Sequence, residues 1–260
     1  MDHRDAMIAV LTRDPGRTAV LVDFDGSLAP IVDHPDDARP LPDVAAVLGR
    51  LVDRFAVVGV VSGRDTEFLA THLPVRDLVL AGLYGTVTER NGARVVDPRV
   101  DVHRDAVARA ADEADARLPG ILVERKQGMS VTLHWRTAPE RAAEVRAVAA
   151  DLAERHGLDA PQRGRMSVEL RPPVPIDKGT AVERLVADCT TAMFAGDDAG
   201  DLPAFDALDR LTGDGRLATA VRVAVRSSEA PAAVVTRADV VVDGPESLLA
   251  FLDALAPLVH

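Results

Sequence analysis

Several shortages in this sequence each exclude something. Of 260 residues only two are lysine, Lys126 and Lys178, against 28 arginines. A single cysteine, Cys189, leaves no pair for an internal disulfide and fits a reducing cytoplasm. Basic residues are outnumbered 30 to 41 by acidic ones, for a formal net charge of −11. That balance argues against a broad nucleic-acid or anionic-membrane surface, since both need clustered cations. No apolar run approaches the roughly 20 residues of a membrane span. Asp2, Arg4, Asp5 and Arg13 interrupt any signal-like start, so a soluble cytoplasmic protein is expected. Neither G-x-x-x-x-G-K-[ST] nor G-x-G-x-x-G occurs, so a nucleotide phosphate donor is not expected. Internal repeats and low-complexity segments are also missing.

What is present reads as a globular chain: 47% hydrophobic, 27% charged, long enough for one large domain or two smaller ones. Short apolar runs at 18–24 (TAVLVDF), 55–61 (FAVVGVV) and 191–195 (TAMFA) end in polar turns that open helices, and further runs lie at 78–81, 221–225 and 240–242. They are β-branched and do not alternate, the signature of strands buried on both faces. With helical stretches such as 43–54 and 203–211 between them, they predict a doubly wound parallel sheet.

The middle of the chain, 102–174, has another pattern. Strands at 121–126, 129–136 and 166–171 alternate apolar and polar residues, and two amphipathic helices are predicted near 103–118 and 139–156. Thr137 and Glu140 have the spacing of a capping box for the second helix, and Gly157 closes it. The expected organisation is therefore a core of 1–101 and 175–260, interrupted by a small α+β insert whose antiparallel sheet is covered by two helices. Residues two apart on a strand share a face, which groups Glu124 with Lys126, Thr132 with His134 and Arg136, and Glu169 with Arg171 on an exposed polar face. Val131, Leu133, Trp135, Val168 and Leu170 fall on the apolar face. Such a polar face is a common solvated surface, but its mix of acids and bases also suits a polyhydroxyl ligand.

Asp23 and Asp25 stand at the carboxyl end of the first strand, where open α/β sheets bind ligands. An isolated D-x-D-G is ordinary turn chemistry. A second cluster, Asp197, Asp198 and Asp201, follows another buried strand and can reach the same sheet edge. Carboxylates about 4 Å apart repel by roughly 4 kcal/mol at an effective dielectric near 20, so the pocket calls for protons or a hard cation such as Mg²⁺. Ser62 and Arg64 follow the second strand, where a hydroxyl and turn N–H groups can hold phosphate oxygens. Lys178 lies in the first turn of a helix behind Asp177, a site that opposes the helix dipole unless an anion is bound. Together these residues describe an Mg²⁺-dependent phosphoryl-transfer site.

In that order DFDGSLAP, SGR, Lys178 and GDDAGD resemble the four motifs of the haloacid dehalogenase superfamily of phosphatases. The resemblance implies Asp23 as nucleophile, Asp25 as general acid/base, Ser62 and Lys178 as phosphate-binding residues, and Asp23, the Asp25 carbonyl and Asp197 as Mg²⁺ ligands, with Asp198 and Asp201 behind them. VERKQGMSVTLHWR, GRMSVELRPPVPIDKGTAV and FAGDDAGDLPAF are similar to trehalose-6-phosphate phosphatases, and this resemblance covers the chain from about Thr18 onward. It implies that Glu124, Lys126 and Glu169 contact the sugar, with Arg136 near substrate or phosphate; Arg64 and Arg171 are further candidates for substrate binding. It implies a haloacid dehalogenase-like core and an Mg²⁺-dependent hydrolysis of trehalose 6-phosphate to trehalose and phosphate through an aspartyl-phosphate. The partners it implies are a small-molecule sugar phosphate and a functional association with a trehalose-phosphate synthase, which no sequence feature reads out. Ser27 stands where Thr is usual and Tyr84 where His is frequent. Gln127 is an extra residue before Gly128 that would shift Lys126 by one step.

Other readings remain open at this stage. The same chemistry could serve another phosphorylated disaccharide or a polyol. A signalling receiver domain also combines a phosphoacceptor Asp with a hydroxyl and a Lys, though an insert over the site argues against it. A D-x-D of a nucleotide-sugar glycosyltransferase and an inactive binding module complete the set.

Overall fold

The computed structural model describes residues 3–32, 37–164, 166–227 and 230–256. The chain divides into two compact units, one of Met1–Val95 with Ile176–His260 and one of Val96–Pro175. In the first unit α1 (His3–Leu11) precedes β1 (Thr18–Val22), followed by α2 (Val44–Val52), β2 (Val57–Val61), α3 (Thr66–His72) and β3 (Val79–Gly82). Next come two short strands, β4 (Val87–Arg90) and β5 (Ala93–Val96).

The chain then forms the second unit: α4 (Pro98–Asp101), α5 (Arg104–Arg117), β6 (Leu122–Lys126), β7 (Ser130–His134), α6 (Ala142–His156), β8 (Gln162–Gly164) and β9 (Ser167–Leu170). It returns to the first unit with α7 (Lys178–Leu185), β10 (Thr191–Gly196), α8 (Leu202–Gly213), β11 (Thr219–Arg226), α9 (Ala232–Arg237), β12 (Val240–Asp243) and α10 (Gly244–Leu255). No helix among the described residues is long and apolar enough to cross a membrane.

The core sheet has the order β12-β11-β10-β1-β2-β3-β4-β5. The first six are parallel, and β4 joins β3 antiparallel. All five β1 residues are buried, as the unbroken apolar runs require. Val20 and Val22 pack with α1, α2 and α10 on one face, while Ala19 and Leu21 pack with α7, α8 and α9 on the other. Covering both faces leaves the carboxyl edge of the parallel strands as the place where polar side chains converge.

The strands β4 and β5 are not among the sequence expectations. Their turn is Asn91-Gly92, both with positive φ, a favoured two-residue hairpin connection.

The second unit orders its sheet β6-β7-β9-β8, antiparallel throughout. Val131, Leu133, Trp135, Val168 and Leu170 bury against α5 and α6 as their alternation predicts, and the Arg146 guanidinium lies 5.3 Å from the centre of the Trp135 ring. Three expectations need correction. The capping box of Thr137 and Glu140 does not form. A 3-10 turn, Pro139–Arg141, leads into α6 with no side-chain cap, and Arg141 is instead committed to Glu144 and to the Pro119 carbonyl. Gly157 does close α6, at φ 63°.

Second, Gln127 does not displace Lys126. Gln127 and Gly128 both take positive φ at the tip of the β6–β7 hairpin, and the Met129 N–H closes the turn on the Lys126 carbonyl at 2.9 Å. The extra residue is absorbed in the loop, so Lys126 pairs with Ser130 and keeps its face. Third, the polar face is not simply exposed, because Ser130, Thr132, Ser167 and Glu169 are all buried.

Phe205 of α8 is fully buried and meets Phe194 of β10 edge-to-face at 6.3 Å. Phe205→Ala is expected to cost about 3–5 kcal/mol, seen as a lower urea midpoint by circular dichroism. A loss below 1 kcal/mol would mean that the α8–sheet packing carries little of the fold.

Candidate active site

Four turns at the carboxyl edge of the parallel sheet build the site. After β1 the Asp23 N–H bonds the Ala195 carbonyl at 2.8 Å, extending the ladder with β10 by one residue and fixing where the Asp23 side chain leaves the sheet. Phe24 then anchors in the core, and its carbonyl accepts the N–H groups of Leu28 and Ala29, both at 2.9 Å. Gly26 has φ +78°, and a methyl group on its α-carbon would overlap the Asp197 carboxylate. Only glycine lets the two acidic turns approach so closely.

After β10, Asp201 folds back on its own turn. Its Oδ2 accepts the N–H groups of Asp197 at 2.9 Å and Asp198 at 3.0 Å, and Asp198 caps the turn through the Gly200 N–H at 2.7 Å. Asp201 Oδ1 accepts Lys178 Nζ at 2.6 Å, and the same ammonium lies 2.7 Å from Asp23 Oδ1. Lys178 opens α7 directly behind its cap, Asp177, whose carboxylate accepts the Thr180 N–H at 2.8 Å.

The carboxylates of Asp23, Asp197 and Asp201 bring one oxygen each within 4.8 Å of one another, and all three residues are buried. One ammonium among them leaves two negative charges uncompensated. The electrostatics follow. Burial pushes the Asp23 carboxyl well above its ordinary value, with Asp201 and Asp197 adding to the effect against Lys178. Burial, then Asp201 and Asp198, push Asp197 up to about 7. Burial alone would lower the Lys178 pKa, but Asp201, Asp23 and Asp198 outweigh it and hold the ammonium well above its usual range. Asp197 Oδ1 is buried without a hydrogen-bond partner. A hard divalent cation fits this donor set, because Asp23 and Asp197 have oxygens to give while Asp201 is spent on Lys178 and two N–H groups.

Ser62 is buried at the end of β2, and its Oγ accepts the Arg64 N–H at 3.1 Å. Sequence reasoning missed what holds this turn. Leu83 and Tyr84 both have positive φ, 51° and 60°, and donate their N–H groups to the carbonyls of Arg64 and Ser62, each at 2.8 Å. Arg64, expected to bind substrate, makes a two-pronged ion pair with Asp25, Nε to Oδ2 at 2.8 Å and Nη2 to Oδ1 at 2.7 Å, and lies over the Phe68 ring. The Asp25 carboxylate is therefore held by Arg64, while still adding to the negative charge that Asp197 meets.

In the antiparallel unit, register sets Glu124 opposite Thr132 and Thr132 opposite Glu169. Glu169 accepts from Lys126 at 3.3 Å, Ser130 at 2.8 Å and the Arg171 guanidinium. Burial would raise its pKa, but Lys126 and Arg171 more than reverse this and hold it ionised. Glu124 bonds His134 at 2.8 Å. His134 had no assigned role, although its place two residues from Thr132 on an alternating strand already put it on this face. Arg136 is half-buried and has no ion pair among the described residues.

Comparisons with known proteins give the chain a family. The trehalose-phosphatase family matches residues 21–244. The chain is 36% identical over 203 residues to the trehalose-phosphate phosphatase of Mycolicibacterium paratuberculosis, an alignment covering 73% of this chain and 51% of the relative. It is 32% identical over 254 residues to the trehalose-phosphate phosphatase of Mycobacterium leprae, covering 92% of this chain and 57% of the relative. The chain thus spans about half the length of the curated relatives it matches. The C-terminal domain of Candida albicans trehalose-6-phosphate phosphatase shares the fold, with a TM-score of 0.72 and 22% identity, covering 100% of this chain and 98% of that one.

Asp197 gives a test of the crowded charges. Between its ordinary value of 3.8 and about 7, the folded protein keeps a proton that the unfolded chain has lost. Native stability therefore falls as pH rises through that window. In EDTA, Asp197→Asn is expected to be more stable than wild type at pH 8, by at most about 4 kcal/mol, and so to melt higher, with the gain vanishing toward pH 4. A variant melting no higher at pH 8 would overturn this account of the carboxylate.

Proposed function

Because the chain belongs to the trehalose-phosphatase family, we propose that it hydrolyses trehalose 6-phosphate to trehalose and phosphate through an aspartyl-phosphate on Asp23. The observation that carries this reading is the buried Asp23–Lys178–Asp201 chain beside the unpartnered Asp197 oxygen.

One Asp23 oxygen is held by Lys178, whose charge opposes the burial that favours the protonated acid; the other attacks phosphorus in line. The P–O bond to the sugar breaks as the Asp23–phosphorus bond forms. Asp25, released from Arg64 and protonated from solvent as substrate binds, gives that proton to the departing sugar oxygen and then takes one from the water that cleaves the aspartyl-phosphate. Lys178 has three protons, two committed to Asp23 and Asp201, so the third is available for a phosphoryl oxygen. Ser62 Oγ already accepts from Arg64, and so offers its own proton to another. Asp23 and Asp197, with the Asp25 carbonyl, would hold Mg²⁺, which neutralises phosphoryl charge when bound.

The inserted unit, with Glu124, Lys126, Glu169, Arg171 and Arg136, is proposed to read the sugar. Its carboxylates accept from hydroxyls and its cations donate to them, and the prepaid ion pairs around Glu169 fix the geometry before any ligand arrives. No step of this proposal calls for a nucleic acid or a membrane.

Phosphate release from trehalose 6-phosphate with Mg²⁺ provides the test. Asp23→Asn is expected to lose at least about 10⁴-fold in kcat; wild-type turnover in that variant would sink the mechanism. Lys178→Arg is expected to be nearly inactive, because a planar guanidinium cannot replace a compact ammonium between two buried carboxylates. Lys126→Arg is expected chiefly to raise KM, by about tenfold, the equivalent of about 1.4 kcal/mol. Wild-type kinetics in both arginine variants would remove the special role of the two lysines.

A further inference from the structure

Four buried side-chain atoms among the described residues lack a hydrogen-bond partner: Ser27 Oγ, Thr66 Oγ1, Thr132 Oγ1 and Asp197 Oδ1. Asp197 is accounted for above, and Ser27 belongs to the Asp23 turn. Thr66 opens α3 directly behind its cap. Thr132 is different. It sits mid-strand in β7, 4% exposed, at the centre of the polar face of the antiparallel sheet.

Strand alternation sends Val131 and Leu133 into the apolar cluster, so Thr132 is on the opposite side, with Lys126, Ser130, His134 and Glu169. Each polar neighbour has a partner: Ser130 and Lys126 on Glu169, His134 on Glu124. The hydroxyl in their midst has none. A buried hydroxyl left unpaired costs stability that valine of the same shape would not.

We infer that the Thr132 hydroxyl is a further sugar-binding group, which completes its hydrogen bonding with a ligand hydroxyl that enters between the Glu124 and Glu169 carboxylates. This rests on the reading of the insert as the sugar-recognising unit. A polyhydroxyl ligand suits the position because a hydroxyl both donates and accepts, as Thr132 does. The flanking carboxylates only accept, Lys126 only donates, and Ser130 and His134 are committed to Glu169 and Glu124, so Thr132 is a group on this face left able to answer either end of a sugar O–H. Glu124 is the more exposed of the two flanking carboxylates, its side chain 44% exposed against 10% for Glu169, and so the one that can give way as the ligand enters.

Thr132→Val and Thr132→Ser separate ligand recognition from structure. For Val the KM for trehalose 6-phosphate is expected to rise about tenfold, and kcat/KM to fall further on that substrate than on p-nitrophenyl phosphate, which carries no sugar. Its melting temperature is expected to rise by about 2–4 °C, since an unpaired buried hydroxyl is removed. Ser retains the hydroxyl and is expected to keep KM within about twofold. A Val variant with wild-type KM overturns the inference. So does one that melts lower and loses both substrates equally, because the hydroxyl would then have a structural partner. If wild type cleaves another phosphate in a sugar-phosphate panel and ignores trehalose 6-phosphate, the substrate reading fails instead. The same KM comparison, made on the preferred sugar phosphate, then decides the role of Thr132.

Discussion

Everything at the carboxyl edge of the core sheet depends on one ammonium held between two buried carboxylates. Lys178 bridges Asp23 and Asp201 at 2.7 and 2.6 Å inside a cluster that carries more negative charge than it can cancel. An isolated ion pair at such depth roughly breaks even against its desolvation. This one is poised by excess: the third carboxylate, Asp197, leaves the arrangement short of positive charge. The shortfall is the charge that the proposed Mg²⁺ would supply. Removing Lys178 would therefore leave Asp23 and Asp201 as two buried acids without the charge between them.

The sheet supplies the geometry that makes such crowding possible. β1, β2 and β10 are adjacent and parallel, so their last residues release Asp23, Ser62 and Asp197 on one edge. The helices that bury both faces exclude water from the roots of those turns. Backbone choices then tune the fit. Gly26 permits contact with Asp197, and the left-handed Leu83 and Tyr84 hold the Ser62 turn by its carbonyls. In the antiparallel unit the same economy applies: alternation puts one row of side chains in the core and leaves the other to make a prearranged set of ion pairs.

Much of this was legible in the residues, because period and punctuation are local. Unbroken apolar runs reported strands covered on both faces, and acids after two of them reported a charged edge. Features that depend on three-dimensional competition were not legible. Thr137 and Glu140 had the spacing of a capping box, yet Pro139 started a tighter turn and Arg141 found better partners. Gln127 read as a register shift because sequence spacing does not show that a hairpin tip can absorb a residue at positive φ. Glu169 read as exposed because alternation says which face a residue takes, not what lies over it. The Asn91-Gly92 turn was readable and was overlooked; it joins two strands whose exposed residues carry no apolar pattern. Arg64 pairs with Asp25, a partner that sequence spacing does not single out.

The pairing of β1 with β10 joins Thr18 to Thr191 at the middle of the core sheet. Contacts so distant along a chain are costly to close and slow to form. A growing polypeptide that has passed the insert already contains Asp23, Ser62 and Lys178, yet lacks the strand that carries Asp197 and Asp201. Its lysine has no second carboxylate to hold it, and the buried acidic cluster lacks two of its three members. The acidic edge is thus tied to late assembly: it is complete only when a strand from the far side of the insert docks beside the first.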